Sequence, residues 1–521
     1  MFSSRMARAQ GPGMRVPPIA ASARAGAPLT ASRPRCARVA AGRSVARAHR
    51  HGASTRASAS ETPWVALGDA VADKGRSPLD ALPLPEGDCG LPFVGNTLDF
   101  FNGPQSFVAD RVRKYGQVSK ASILGRDTVI VAGKELLHQM LVEERGLLIQ
   151  DYYAGLKALF GPASLGLLDG DDHKRLRRLL GPSFSKAGLN AHIPEIAKIA
   201  SDFCGEWAEK GGIGFAHEAS MFALSVVMKA AIGLKFPAAG HSMADVIEVF
   251  RVFARGITSP GINLPFTHFG KSMEARKKLE DIVQEAIASL PDDPQEGGCL
   301  GAMMSAQDED GNAFSIEEIQ DNVISLAYGG HDTPSSVIST ALLAIGRRPQ
   351  IWKKIVDEQA EIVARFGPEF TTEAVDAMVY AEAVFREAMR VMPPGIATMK
   401  LATRTFELDG RRIPKGWRVM GSMASPEDFQ DDKWPMNCEF RPERFLAHND
   451  PGAMSSIIFG MGPHTCIGNY LALLETKILL ATLARSYDFT VLNTSPELSF
   501  MPIARPKDGL PIVVTRRSND C

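Results

Sequence analysis

Cysteine is scarce in this chain, seven in 521 residues with none spaced as CxxC, which excludes a disulfide framework and a cysteine-based zinc site. Long hydrophobic runs are missing as well. None approaches the roughly 20 apolar residues that a membrane-spanning helix needs, so no transmembrane anchor is expected, while peripheral membrane contact stays compatible with the sequence. No internal repeat is present, and no linker-like stretch follows the first ninety or so residues. The length therefore reads as one large catalytic domain over residues 80–515 rather than several smaller ones.

The first 60 residues lack Lys, Asp and Glu altogether but hold eleven Arg among many Ala and Ser. Such a composition cannot pack a core. Residues 1–75 read as an organellar transit peptide and disordered leader, a plain basic tail being the alternative. With the whole chain at −1 and the leader at +11, the remainder carries −12. An acidic domain argues against nucleic-acid binding. An Arg-, Ala- and Ser-rich leader suits the chloroplast, or alternatively the mitochondrion.

What the chain does contain is concentrated in Phe459-Gly-Met-Gly462-Pro-His464-Thr-Cys466-Ile-Gly468. Gly460 and Gly462 allow a tight loop whose N–H groups can point at a sulfur, and Gly468 allows close approach of the helix that follows. A lone Cys in a glycine-rich turn is otherwise a buried core thiol. As a haem ligand, a Cys thiolate pushes electron density onto the iron and favours O–O cleavage. FxxGxxxCxG with a basic residue two before the Cys resembles the haem signature of the cytochrome P-450 monooxygenases. That resemblance implies a mainly α fold with small β-sheets, the single-domain cytochrome P-450 fold. It also implies haem b, with Cys466 on the iron, Phe459, Gly462 and Gly468 around it, and His464 on a propionate.

Three further motifs follow the family's order. A helical period runs over residues 316–345, with Ser315 and Glu318 as a capping box. At about 1.5 Å per residue it would reach about 45 Å, across a whole domain. Gly329 and Gly330 each weaken its interior by up to about 1 kcal/mol, and Pro334 removes one backbone hydrogen bond, predicting a kink. In the family this is the distal oxygen site, and Asp332-Thr333 match its acid–alcohol pair for proton delivery. Glu387-Ala-Met-Arg390 lies in a helical run expected over 376–392; alone it is a weak surface pair. Phe440-Arg-Pro-Glu-Arg444-Phe445 changes that, because the resemblance joins Glu387, Arg390 and Arg444 into one buried charge network.

Gly170-Asp-Asp-His173-Lys-Arg-Leu-Arg177-Arg178 resembles the family's GxxHxxxR helix, which sends His173 and Arg177 to a propionate; Lys400 stands where many relatives carry an Arg. Lys174, Arg175 and Arg178 read as solvated cations that could dock an electron donor. Residues 83–96 resemble the hinge at the start of the domain, and 119–132 and 405–413 alternate as small-sheet strands, the latter around Asp409-Gly410.

Within the family, the likeness is to retinoic-acid hydroxylases and their cyanobacterial relatives, carried by residues 264–276, 405–417 and Gly170-x-x-His173. Plant steroid hydroxylases share part of it. The resemblance implies an apolar isoprenoid substrate (retinoid, apocarotenoid or carotenoid, or sterol-like molecule), dioxygen, and an electron donor, ferredoxin in a plastid. It places Leu326, Gly329, Gly330, Ile396, Ala397, Met399, Met501 and Pro502 over the haem, in a dry pocket. Two other readings stay beside it: a plastid enzyme that rearranges hydroperoxides without oxygen or reductase, and a non-enzymatic haem sensor or carrier. The intact Asp332-Thr333 pair favours the monooxygenase.

Overall fold

The long helix comes first in the architecture because its sequence leaves it no other place. In the computed structural model, which describes residues 77–143, 145–234, 240–290, 297–423, 439–446, 457–500 and 503–517, it spans Ile316–Gly346. Ser315 Oγ accepts from Glu318 N, and the Glu318 side chain accepts from Ser315 N, closing the box at its start. From Pro334 to Ile345 every residue is buried. Its four buried hydroxyls, Ser335, Ser336, Ser339 and Thr340, are each satisfied by a backbone carbonyl, and the helix packs against Phe215–Ser225, Val379–Val391 and Asn469–Ser486. The helix continues through Pro334 without a break in its assignment.

The expected helix over 376–392 is two pieces, Thr372–Asp376 and Val379–Val391. Met378, with φ −76° and ψ 66°, starts the second, so the run turns a corner that its apolar spacing concealed.

A six-stranded mixed sheet lies beside the helices in the order Glu86–Gly87, Val118–Ile123, Arg126–Val131, Arg418–Ser422, Ala397–Ala402, Leu148–Gln150. Its last pairing sets Lys400 opposite Gln150. The 119–132 hairpin forms as expected, turning through Leu124 (φ 54°) and Gly125 (φ 70°). So does the smaller one, Phe406–Leu408 against Arg411–Ile413, through Asp409 and Gly410, both at positive φ. A three-stranded sheet joins Gly212–Gly214, Pro511–Arg516 and Tyr487–Val491.

The leader assigned to 1–75 lies outside the described residues. Among the described residues two helical stretches are long and apolar enough to cross a membrane, Phe215–Ile232 and Gly462–Ser486. Both are mostly buried within the protein, as core helices are.

Candidate active site

Gly460 and Gly462 adopt φ of +76° and +69°, and a Cβ on Gly462 would stand 2.4 Å from the Leu141 carbonyl oxygen. Only glycine fits there. The loop is pinned where Cys466 N donates to Phe459 O at 2.8 Å and Thr465 N to Gly462 O at 3.1 Å. Phe459 stacks on Phe385 with centroids 6.2 Å apart. Gly468 needs no left-handed backbone and has open space at its Cβ.

Cys466 counts as exposed by surface area although protein surrounds its sulfur almost completely. The surface it shows is part of the wall of a cavity of about 430 Å³. Burial raises its thiol above the ordinary range, while the Gly468 N–H and the Arg177 guanidinium favour the thiolate. Across the cavity stand Leu326, Gly329, Gly330 and Thr333 of the long helix, with Ala397 and Val227 also lining it. Thr333 Oγ1 donates to Gly329 O at 2.6 Å. Gly330 has a packing reason: its Cβ would meet Val227 Cγ2 at 2.6 Å.

Asp332, next to Thr333, faces elsewhere. Its carboxylate lies 3.3 Å from Arg505 Nη2 and accepts from the Tyr328 hydroxyl at 3.3 Å. Ile396 and Met399 do not line this cavity as expected; they pack against the cluster of Phe100, Phe107, Ile123 and Met420 on the sheet. Met399 shares a strand face with Ala397, and strand position alone does not tell which layer covers that face. Met501 and Pro502 lie outside the described residues.

One rim of the cavity is polar. His173 and His464 stack with centroids 4.0 Å apart, and Arg177 Nη1 donates to Thr465 O. His464 is held from both sides, Nε2 by Asp169 at 3.3 Å and Nδ1 by Gln150 Nε2 at 3.0 Å. Burial opposes ionisation of Asp169, but the His464 imidazole, the Gln150 N–H and Lys400 hold its carboxyl below the usual range. Burial, with the cationic neighbours, pushes His173 down to about 4. Lys400, buried, falls to about 8 against the pull of Asp169. Tyr152 also lines the cavity, close enough to Asp169 to feel its charge.

Glu475, fully buried on the helix after the Cys loop, lines the cavity too, and neither carboxyl oxygen has a partner among the described residues. Burial raises its pKa well above the ordinary value.

The charge network forms as expected. Arg390 Nε and Nη2 meet the two oxygens of Glu387 at 2.8 Å each, and Arg444 Nε reaches Oε1 at 3.2 Å. The cations read as solvated each have a carboxylate neighbour, Lys174 with Asp171, Arg175 with Asp308 and Glu318, Arg178 with Glu309, and Lys174 and Arg178 remain exposed.

The residues present fit a flat macrocycle bearing two carboxylates: one thiol facing a slot, apolar and glycine walls, and imidazole, guanidinium and ammonium groups at one rim. A separate groove of about 1010 Å³, lined by Ala197, Val356, Phe370 and Arg485 among others, contains no Cys and no acid–alcohol pair.

The Cytochrome P450 family model matches residues 85–512. Cytochrome P450 26A1 of Gallus gallus is 29% identical over 459 residues, covering 86% of this chain and 93% of that protein. Abscisic acid 8'-hydroxylase 2 of Arabidopsis thaliana is 31% identical over 444 residues, covering 83% and 90%. Among solved structures, retinoic acid-bound cyanobacterial CYP120A1 superposes with a TM-score of 0.74 at 27% identity, covering 84% of this chain and all of that one.

Proposed function

This chain belongs to the cytochrome P450 family, and we propose that it hydroxylates an apolar isoprenoid-type substrate, a retinoid, apocarotenoid or carotenoid, or sterol-like molecule. As a cytochrome P450 monooxygenase it uses haem b, dioxygen and electrons from a redox partner. When bound, haem b supplies the oxygen-activating iron.

The chain's own residues divide the remaining work. Cys466 gives the thiolate, and the Gly468 N–H stabilises its charge. Arg177 and Lys400 would offset the charge of the propionates, with the His173 and His464 rings and the Tyr152 hydroxyl as hydrogen-bond donors. Thr333 holds a proton at its Oγ1 inside the cavity, and Asp332 replenishes it from the Arg505 side. Glu387, Arg390 and Arg444 fix the helix and loop that frame the Cys segment. The observation that carries this reading is that Thr333 and Cys466 open into one cavity with mainly apolar walls between them.

The substrate class rests on those walls and on the relatives. One solved relative holds retinoic acid and another relative is named for abscisic acid, both isoprenoid acids. Ferredoxin as donor and the chloroplast as location rest on the composition of the leader. The experiment is turnover of retinoids, carotenoids and sterols by haem-loaded protein under oxygen with a ferredoxin donor system, against fatty-acid hydroperoxides with no donor. Oxygen-dependent hydroxylated isoprenoid supports the proposal; turnover of hydroperoxide alone, surviving Thr333→Ala, refutes it. Import of a reporter fused to residues 1–75 into isolated chloroplasts tests the location.

A further inference from the structure

The groove of about 1010 Å³ that lies apart from the haem cavity has two helix faces for walls. Pro194 and Ala197 come from Ile193–Lys210, and Val356, Ala360, Val363 and Ala364 from Pro349–Phe366. Spacings of three, four and seven residues keep each set on one stripe of its helix. The longer stripe runs about 12 Å by the helical rise. Its small apolar side chains leave room for a narrow apolar ligand.

The floor of the groove is polar and unsatisfied. Arg485, in the last turn of Asn469–Ser486, donates through Nε to Gln359 Oε1 at 3.1 Å and through Nη1 to Pro368 O at 2.7 Å. Its Nη2 has no partner among the described residues. Gln359 is 1% exposed, and its Nε2 has no partner either. The neighbouring Glu358 carboxylate is already taken by the Tyr380 and Ala381 N–H groups. Two orphan donors, on side chains bonded to each other, lack an acceptor.

Charge says which acceptor fits. Lys198 and Arg517, which also line the groove, are paired with Asp202 and Asp488. Arg485 makes no ion pair among the described residues and feels only the more distant charge of exposed Glu369. One unpaired cation matches the single charge of a carboxylate better than the nearly double charge of a phosphate monoester. The Phe370 ring lies over the guanidinium, with its centroid 4.0 Å from Arg485 Cζ.

We propose that this groove is a second binding site, for a single-chain amphiphile that ends in a carboxylate. The carboxylate takes Arg485 Nη2 and Gln359 Nε2, and the apolar chain lies between the two helix stripes. Both donor atoms are covered, so seating the carboxylate turns the Phe370 ring aside.

The test titrates the haem-loaded full chain calorimetrically with decanoate, decanol and decyl phosphate, while the Soret band reports on the haem cavity. Decanoate should fill one site that leaves the Soret band unmoved. Arg485→Gln should weaken that site about tenfold or more, the span of one charge-assisted hydrogen bond, and leave decanol unchanged. Ala360→Trp, at an exposed position on the groove wall, should abolish the site without touching the polar floor, which keeps the proposal testable if Arg485→Gln fails to fold. Decanoate that does not bind, that binds only with a Soret shift, or that binds Ala360→Trp undiminished overturns the proposal. So does decanol bound as tightly as decanoate. Tighter binding of decyl phosphate gives the groove to a phosphoryl head, and a dimer broken by Ala360→Trp gives it to a second copy of the chain; either result overturns the carboxylate site.

Discussion

Asp332 points its carboxylate at Arg505, 3.3 Å away, while the next residue, Thr333, faces the cavity. Acid and alcohol are neighbours in the chain but face different surroundings, one an ion pair and the other the reaction space. If protons reach the cavity by this route, Asp332→Asn slows turnover by about a hundredfold, the usual size of a lost acid–base contribution. Thr333→Ala acts differently: electron consumption continues while product per electron falls. Unchanged coupling in the Thr333 variant removes the residue from proton delivery.

Gly330 is a contact residue for Val227, whose Cγ2 would lie 2.6 Å from an added Cβ. Gly330→Ala should cost about 1–3 kcal/mol by overpacking. A double-mutant cycle with Val227→Ala should recover most of that. Simple additivity of the two variants in urea denaturation contradicts the contact.

Glu387 is fully buried and meets both Arg390 and Arg444. Glu387→Ala removes the buried carboxylate that both cations share and should destabilise the protein by about 3–5 kcal/mol, with loss of haem on dilution. A cost below about 1 kcal/mol, the range of an exposed pair, shows the network to be ornamental.

His331, buried between Phe250 and Tyr328, has its pKa lowered by burial. The unfolded chain titrates near 6.5, so just below that pH it binds more protons than the folded one. Stability therefore rises with pH through this window, is full above it, and is lost as acid forces the imidazole to charge. His331→Phe should flatten the slope. An unaltered pH profile of the melting temperature shows that other groups set it.

Local signals were legible in the chain: the Ser315 and Glu318 cap, the positive-φ glycines of the Cys loop, and the Asp409-Gly410 turn all act within a few residues. Family order supplied Glu387, Arg390 and Arg444. What stayed hidden depends on distant partners. Nothing near His464 announces that Asp169 and Gln150, some three hundred residues earlier, hold both its ring nitrogens. The break at Met378 was masked because apolar spacing continues across it. Ile396 and Met399 are apolar in either setting, and only the layer beneath the sheet sends them away from the cavity.

Cys466 as the thiolate on the haem iron is tested by the reduced, carbon monoxide-bound difference spectrum of the purified protein. A thiolate-type Soret band in the wild type, lost in Cys466→Ala, is the expected result. A histidine-type band in the wild type, or a thiolate band that survives Cys466→Ala, rules Cys466 out as the iron ligand.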